Sequence, residues 1–288
     1  MEKRDFNKDF HTYKDAYEKF KEYLLEGKSI ADLAYCYGLP IERINNILVR
    51  FDEVIDPIVY KAIKDHYSQF TINDNKAVVI SDTHVGSNYE FLQLFDTVFN
   101  YCAKYGIHNI IHAGDLVEGY SYEPNRKDDA KNQIIKFRSI FEKNNSFQMY
   151  YLYGNHDYNL SLYNNIDLKE ELRDLKNLIY IGKGNSYIQL NDNDPINIAH
   201  TLSSDETCVP KIETNLRLEG HHHLYEFYDN GIVQLPALSY MSGATNLGFV
   251  KLETNGNEFI LDVFKGLNKN NVLEHYDQKI LKKRFYNI

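Results

Sequence analysis

Tryptophan is absent from this chain, and cysteine occurs only three times, at Cys36, Cys102 and Cys208, widely spaced and in no CxxC pair. An odd, scattered set gives no disulfide framework, suits a reducing compartment, and reads as small buried hydrophobes. No apolar run is long enough to span a bilayer, so no membrane association is expected. The opening residues Met1 to Asp9 are charged with no apolar stretch behind them, so no secretory signal is expected and the location is read as cytoplasmic. A basic surplus is also missing. The formal charge is −9, which argues against a protein that coats nucleic acid nonspecifically, although a local site could still hold a phosphate through metal ions.

What is present is enough apolar side chain, 43% of 288 residues, to fill the core of one large domain with a small companion. From about Thr12 to His66 the pattern predicts helices, starting with a stripe of Tyr13, Tyr17, Phe20 and Leu24 that stops at Gly27. Thr71 to Lys76 is a polar connector. Beyond it strand and helix alternate: strands at Ala77–Ser81, Asn109–Ala113 and Gln148–Tyr153, and helices at Tyr89–Tyr105 and about Asp128–Phe141. After His200 short antiparallel strands are expected, with turns at Asp229-Asn230-Gly231 and Thr254-Asn255-Gly256-Asn257. The expected organisation is a helical domain over 1–70, an α/β domain over 76–265 and a C-terminal extension over 266–288.

Five segments carry the chemistry: Asp82-Thr83-His84, Gly114-Asp115, Gly154-Asn155-His156-Asp157, His200, and Gly220-His221-His222-His223. Each follows a short apolar run that reads as a buried strand. Strand side chains alternate, so Asp82 and His84 at a strand end can grip one ion. Carboxylate plus imidazole suits Mn, Fe or Zn better than Ca or Mg. Asp115 follows the next strand, and the loops after parallel strands gather at one edge, where a single carboxylate can bridge two metals roughly 3.5–4 Å apart. Asn155 offers a neutral oxygen and places His156 at the rim, free to donate a proton. His200, His221 and His223 would complete both coordination shells, with His222 facing away. His11, His66, His108, His112 and His275 read as structural.

In this order the segments resemble the calcineurin-like metallophosphoesterase superfamily, whose pattern is DxH, GDxx, GNH(D/E), H and GHxH, over roughly residues 76 to 265. The resemblance implies a two-sheet sandwich flanked by helices. It also implies that Asp82, His84, Asp115 and His223 hold one metal, and Asp115, Asn155, His200 and His221 the other. His156 matches the histidine that stabilises the transition state or protonates the leaving oxygen, and Asp157 would orient it. Thr201 stands where many members have Gly, and Leu235-Pro236-Ala237-Leu238-Ser239 looks like a segment of compact bacterial members. The expected activity is hydrolysis of phosphate esters, foremost diesters, by a hydroxide activated by two divalent metals, Mn before Fe or Zn.

Ser29 to Val49 resembles a helix-turn-helix of the kind found in recombinases and sigma-like regulators. Ile30 to Ala34 is followed by Gly38 at the turn, Pro40 opens the second helix, and Ile44 and Ile47 pack inward. Outward candidates for DNA contact are Arg43, Asn45, Asn46 and Arg50. Residues 1–70 carry 11 basic against 13 acidic side chains, poor for phosphate contacts. A bundle for homodimerisation or for covering the catalytic domain is the alternative. Tyr120, Tyr122 and Arg126, in the loop after Asp115, could bind the rest of a substrate, and Asn159–Asn165 and Ser203–Val209 are further loops expected around the site. Two other functions stay open: a DNA nuclease or end-processing enzyme guided by the helices, and a DNA-binding regulator with an inactive phosphoesterase shell.

Overall fold

Two capping boxes set the first helices. In the computed structural model, which describes residues 3–51, 56–67, 70–120, 129–191, 194–202, 215–240, 246–255, 258–267 and 273–282, Thr12 exchanges hydrogen bonds with Asp15 and Ser29 with Asp32. After the short α1 (Phe6–Asp9), these boxes open α2 (Tyr13–Leu25) and α3 (Ile30–Tyr37). Gly38, in the left-handed conformation at φ 61°, closes α3. Pro40 caps α4 (Ile41–Val49), and α5 (Pro57–Tyr67) follows. Phe20, Ile30, Leu33, Ile44, Ile47 and Val59 form the buried heart of this unit.

Two expectations for this region and one for the site loops change, while Arg43, Asn46 and Arg50 are exposed as expected. Tyr13, placed in the apolar stripe, is exposed. Asn45, taken as outward, is buried, because it sits between Ile44 and Ile47 on the inward side of α4. Arg43 and Arg50 are exposed but lie over the rings of Phe6 and Tyr13 in their own unit; Asn46 is exposed. The stretch read as a loop from Asn159 is helical up to Asn164.

The second unit begins at β1 (Thr71–Ile72) and β2 (Lys76–Ile80), followed by α6 (Gln93–Tyr105), β3 (Asn109–His112) and α7 (Ala130–Glu142). Then come β4 (Gln148–Tyr153), α8 (Asn155–Asn164), α9 (Leu168–Leu172), β5 (Leu178–Lys183), β6 (Asn185–Leu190), β7 (Ile196–Ala199) and β8 (Arg217–Glu219). The last described elements are β9 (Glu226–Phe227), β10 (Ile232–Gln234), β11 (Gly248–Thr254), β12 (Glu258–Leu267) and β13 (Leu273–Lys282). Two sheets result, a mixed α/β arrangement with flanking helices: a seven-stranded one in the order β13-β12-β11-β2-β3-β4-β5, and a six-stranded one in the order β1-β6-β7-β8-β10-β9.

Strands β2 to β5 are parallel, and β2 and β3 are buried almost throughout, as strands covered on both faces must be. The side chains of Phe95, Val98, Phe99, Phe137 and Phe141 from α6 and α7 pack on this sheet. Two details differ from the sequence expectation. Strand β8 pairs parallel with both β7 and β10, although β9 and β10 do form an antiparallel turn at Gly231. The segment expected as an extension from residue 266 contributes β13, which pairs antiparallel with β12 along its length. Among the described residues no helix is long and apolar enough to cross a membrane.

Candidate metal centre

The carboxyl ends of β2, β3 and β4 deliver Asp82, Asp115 and Asn155 to one edge of the first sheet, and the ends of β7 and β8 deliver His200, His221 and His223 from the second. Beyond the strand ends the chains continue to pair. Asp82 N–H donates to Gly114 O at 3.0 Å, Thr83 and His84 N–H to Asp115 O at 3.0 and 3.1 Å, and Val85 N–H to Leu116 O at 3.1 Å. This clamps the two carboxylate-bearing loops together. Gly154 lets the third loop close on them: a Cβ there would lie 2.1 Å from Asp115 Oδ1.

Five of these residues hold backbone in the left-handed region: Asp82 (φ 54°), His84 (41°), Asp115 (58°), His221 (89°) and His223 (57°). Each such residue costs on the order of 1–3 kcal/mol and persists only where its surroundings fix it. Elsewhere among the described residues only Asn165 and Asn191 do the same without being glycine. Backbone strain is thus concentrated where the side chains converge.

The convergence is tight. His223 Nε2 lies 3.1 Å from Asp82 Oδ1 and 3.3 Å from His84 Nε2. Asp115 Oδ2 lies 3.0 Å from His200 Nε2 and 3.7 Å from His84 Nε2. Asn155 Oδ1 is 3.2 Å from His200 Nε2 and 3.1 Å from His221 Nδ1. Asp82, His84, Asp115 and His200 are all buried. Three sets of donor atoms lie within 4.8 Å of one another: Asp82, His84 and His223; His84, Asp115 and His156; Asp115, His200 and His221.

The hydrogen bonds fix which nitrogens are free. His84 Nδ1–H donates to Glu118 Oε2 at 3.0 Å, and His200 Nδ1–H donates to Ala113 O at 2.7 Å, because neither oxygen can donate in return. The remaining Nε2 atoms point at carboxylates and at one another. Lone pairs facing lone pairs in a buried site need a cation or a proton between them. His223 Nδ1 is buried and has no hydrogen-bond partner among the described residues. These residues fit divalent metal binding, since they gather imidazole nitrogens and carboxylate and amide oxygens in one buried cluster.

In the absence of a cation the protons fall on the histidines. Burial opposes charge on His200, but Asp115 and Asp82 outweigh it and push its pKa up to about 9. His84 is raised in the same way against its burial, by Asp82, Glu118 and Asp115. For Asp82 burial works upward, yet His200, His223 and His84 hold the carboxyl well below the usual range. His112, under the site, is pushed down to about 3 by burial and donates from Nε2 to Thr83 Oγ1 at 3.0 Å, a neutral structural role.

His156 stands at the rim, its ring edge-on to His84 with centroids 4.6 Å apart, and its Nδ1–H donates to Glu118 O at 2.6 Å. The Asp157 carboxylate, expected to orient His156, instead accepts from Leu116, Val117 and Gly154 N–H at 3.2, 3.1 and 3.1 Å. Burial and the nearby Asp115 push its pKa up to about 7. Its role is to tie the Asp115 loop to the start of α8, and the ring of His156 is held by the Glu118 backbone. Glu118 itself was missed by sequence reasoning; the available signal was an acid directly after the apolar pair Leu116-Val117. Ser239, at the end of the Leu235–Ser239 segment noted in the sequence, donates to Asp82 O at 2.8 Å. His222 is exposed beside His221. Tyr120 lies next to the site through Gly119, whereas Tyr122, Arg126 and the 203–209 loop fall outside the described residues.

The model of the calcineurin-like phosphoesterase family matches residues 76–284. No curated protein sequence matches the chain significantly. Among solved structures, Vps29 of Chaetomium thermophilum is 12% identical with a TM-score of 0.48, covering 73% of this chain and 99% of that one. Yfce, a phosphoesterase from E. coli, is 19% identical with a TM-score of 0.46, covering 72% and 100%. A predicted phosphoesterase from Streptococcus pneumoniae TIGR4 is 14% identical with a TM-score of 0.40, covering 73% and 98%. The family match spans most of the chain and contains every residue of the cluster, so this protein belongs to the calcineurin-like phosphoesterase family.

Proposed function

We propose that the chain is a dinuclear-metal phosphodiesterase working in the cytoplasm, with Mn as the native ion. The observation that carries this reading is the place of Asp115, whose Oδ2 lies 3.0 Å from His200 Nε2 and 3.7 Å from His84 Nε2. Asp82, His84, Asp115 and His223 would hold one ion, and Asp115, Asn155, His200 and His221 the second. When bound, the two cations supply the Lewis acidity and the nucleophile-generating chemistry of phosphoryl transfer.

The protein's own groups do the rest. His221 N–H donates to both oxygens of Asp82, at 3.2 and 3.0 Å, and His156 N–H donates to Asp115 Oδ1 at 2.9 Å, so the backbone holds each carboxylate in one orientation. With Nδ1–H of His156 committed to Glu118 O, Nε2 is the nitrogen that exchanges a proton with the departing alkoxide.

Hydrolysis of bis-p-nitrophenyl phosphate and p-nitrophenyl phosphate by Mn-loaded protein, beside His156→Ala, tests this. Diester preference with a loss of roughly 100- to 10,000-fold in the variant supports it. Monoester preference, or an undiminished variant, contradicts it.

A further inference from the structure

His223 is held differently from the other histidines of the cluster. The rings of His84 and His200 are fixed through Nδ1–H by Glu118 and by the Ala113 carbonyl, whereas His223 Nδ1 has no hydrogen-bond partner among the described residues. The His223 backbone also lies in the left-handed region, at φ 57°. Such a conformation persists only where surrounding groups fix it. The aim of Nε2 at Asp82 Oδ1, 3.1 Å away, therefore depends on what grips the chain around His223.

Asn246 supplies that grip. Its N–H donates to His223 O at 2.8 Å, and its Oδ1 accepts from Tyr225 N–H at 3.1 Å. One residue thus takes the carbonyl of His223 and the amide two residues further on, bracketing the turn. Asn246 is also tied to the strand that carries Asp82: its carbonyl accepts from Ala237 N–H at 2.9 Å, and the adjacent Leu238 N–H donates to Ser81 O at 3.0 Å. Asp82 and His223 come from different sheets, and this chain of bonds links them. Strands β12 and β13 support it from outside. Lys265 donates to the same Asn246 Oδ1 at 3.4 Å and lies 3.6 Å from the centre of the Tyr276 ring. Tyr225 O–H donates to Asp277 Oδ2 at 2.9 Å, and its ring meets Tyr276 edge-on with centroids 6.0 Å apart.

We infer that Asn246 is a positioning residue, which sets His223 against Asp82 and His84 for the ion those three would hold. The inference rests on the reading of His223 as a metal ligand and names the group that orients it.

Titration calorimetry with Mn alone, on the full metal-free chain, tests it in the wild type, Asn246→Ala, His223→Ala and the double variant. The wild type is expected to bind two ions. Asn246→Ala loses Oδ1 and keeps the backbone bond; it is expected to bind one ion roughly 10–100-fold more weakly and the other unchanged. In the His223→Ala background the same substitution is expected to have no further effect, because the ring it positions is gone. Asn246→Asp retains an accepting oxygen and is expected to keep the affinity. Tyr225→Phe loses only the bond to Asp277 and is expected to weaken the same ion, so it takes the place of Asn246→Ala in the cycle should that variant fail to fold.

Undiminished affinity in the variant used, or an equal further fall when His223 is already alanine, overturns the positioning role and leaves the metal centre standing. A wild type that binds no Mn overturns the metal reading, and the positioning role with it.

Discussion

Glu118 Oε2 lies 3.0 Å from His84 Nδ1, and both side chains are buried. The carboxylate fixes the ring and its tautomer, aiming Nε2 at Asp82, Asp115 and His223, and makes that nitrogen a stronger donor to a cation. In Glu118→Gln the amide oxygen can still accept from Nδ1–H, so the geometry survives while the charge is lost. Mn affinity by titration calorimetry is expected to fall roughly 10–100-fold with thermal stability of the metal-free protein nearly unchanged. Unaltered affinity would show that the pair is only packing.

Gly154 has an ordinary φ of −87°, so the effect of replacing it is purely steric. In Gly154→Ala the new methyl would meet Asp115 Oδ1 at 2.1 Å and the Asp115 backbone nitrogen at 2.6 Å. The variant is expected to lose on the order of 1–3 kcal/mol in urea unfolding, as overpacked sites do, together with most of its metal affinity. A stable variant with normal metal affinity would mean that the Asp115 loop is not fixed by α8.

Asp56 joins two helices of the first unit. Its Oδ1 accepts from Ile58 N–H at 2.9 Å at the start of α5, and its Oδ2 pairs with Lys21 Nζ on α2 at 2.7 Å. The Lys21 hydrogen bond, against the opposing effect of burial, holds the Asp56 carboxyl below its usual range, and the same bond raises Lys21. A lowered carboxyl pKa stabilises the fold above about pH 4 and loses that effect as pH falls through the folded value; a raised lysine does so below about pH 10 and loses it on further rise. Lys21→Met is therefore expected to cost about 0.5–1 kcal/mol at pH 7 and less at pH 3. An equal cost at both values would remove the ion pair from the account.

The features legible in sequence were those carried by a short motif or a strong period. Asp82, His84, Asp115, Asn155, His200, His221 and His223 meet because each follows a strand end, and strand ends share an edge whatever the intervening length. Glu118 was hidden because its partner His84 is 34 residues away and only the pairing of two loops brings them together. The α8 residues Asn159 to Asn164 looked like a loop for their asparagines, yet Asp157 caps the helix and Leu160 is buried beneath it. Strand β13 offers no apolar face, since it is mostly exposed; its backbone pairing with β12 makes it a strand, and side-chain pattern does not report that. Asn45 misled because a polar residue between Ile44 and Ile47 was assigned to the surface by type.

The central claim is that two cations share Asp115. Metal-stripped protein titrated with Mn, following bound ions per chain alongside bis-p-nitrophenyl phosphate hydrolysis, tests it most directly. The account predicts that the rate climbs to its plateau only as the second ion binds. It also predicts that Asp115→Asn fails to retain two ions and loses more than the roughly 100-fold that removal of an orienting partner costs. Full hydrolysis at one ion per chain, or by metal-free protein, or by Asp115→Asn would contradict it.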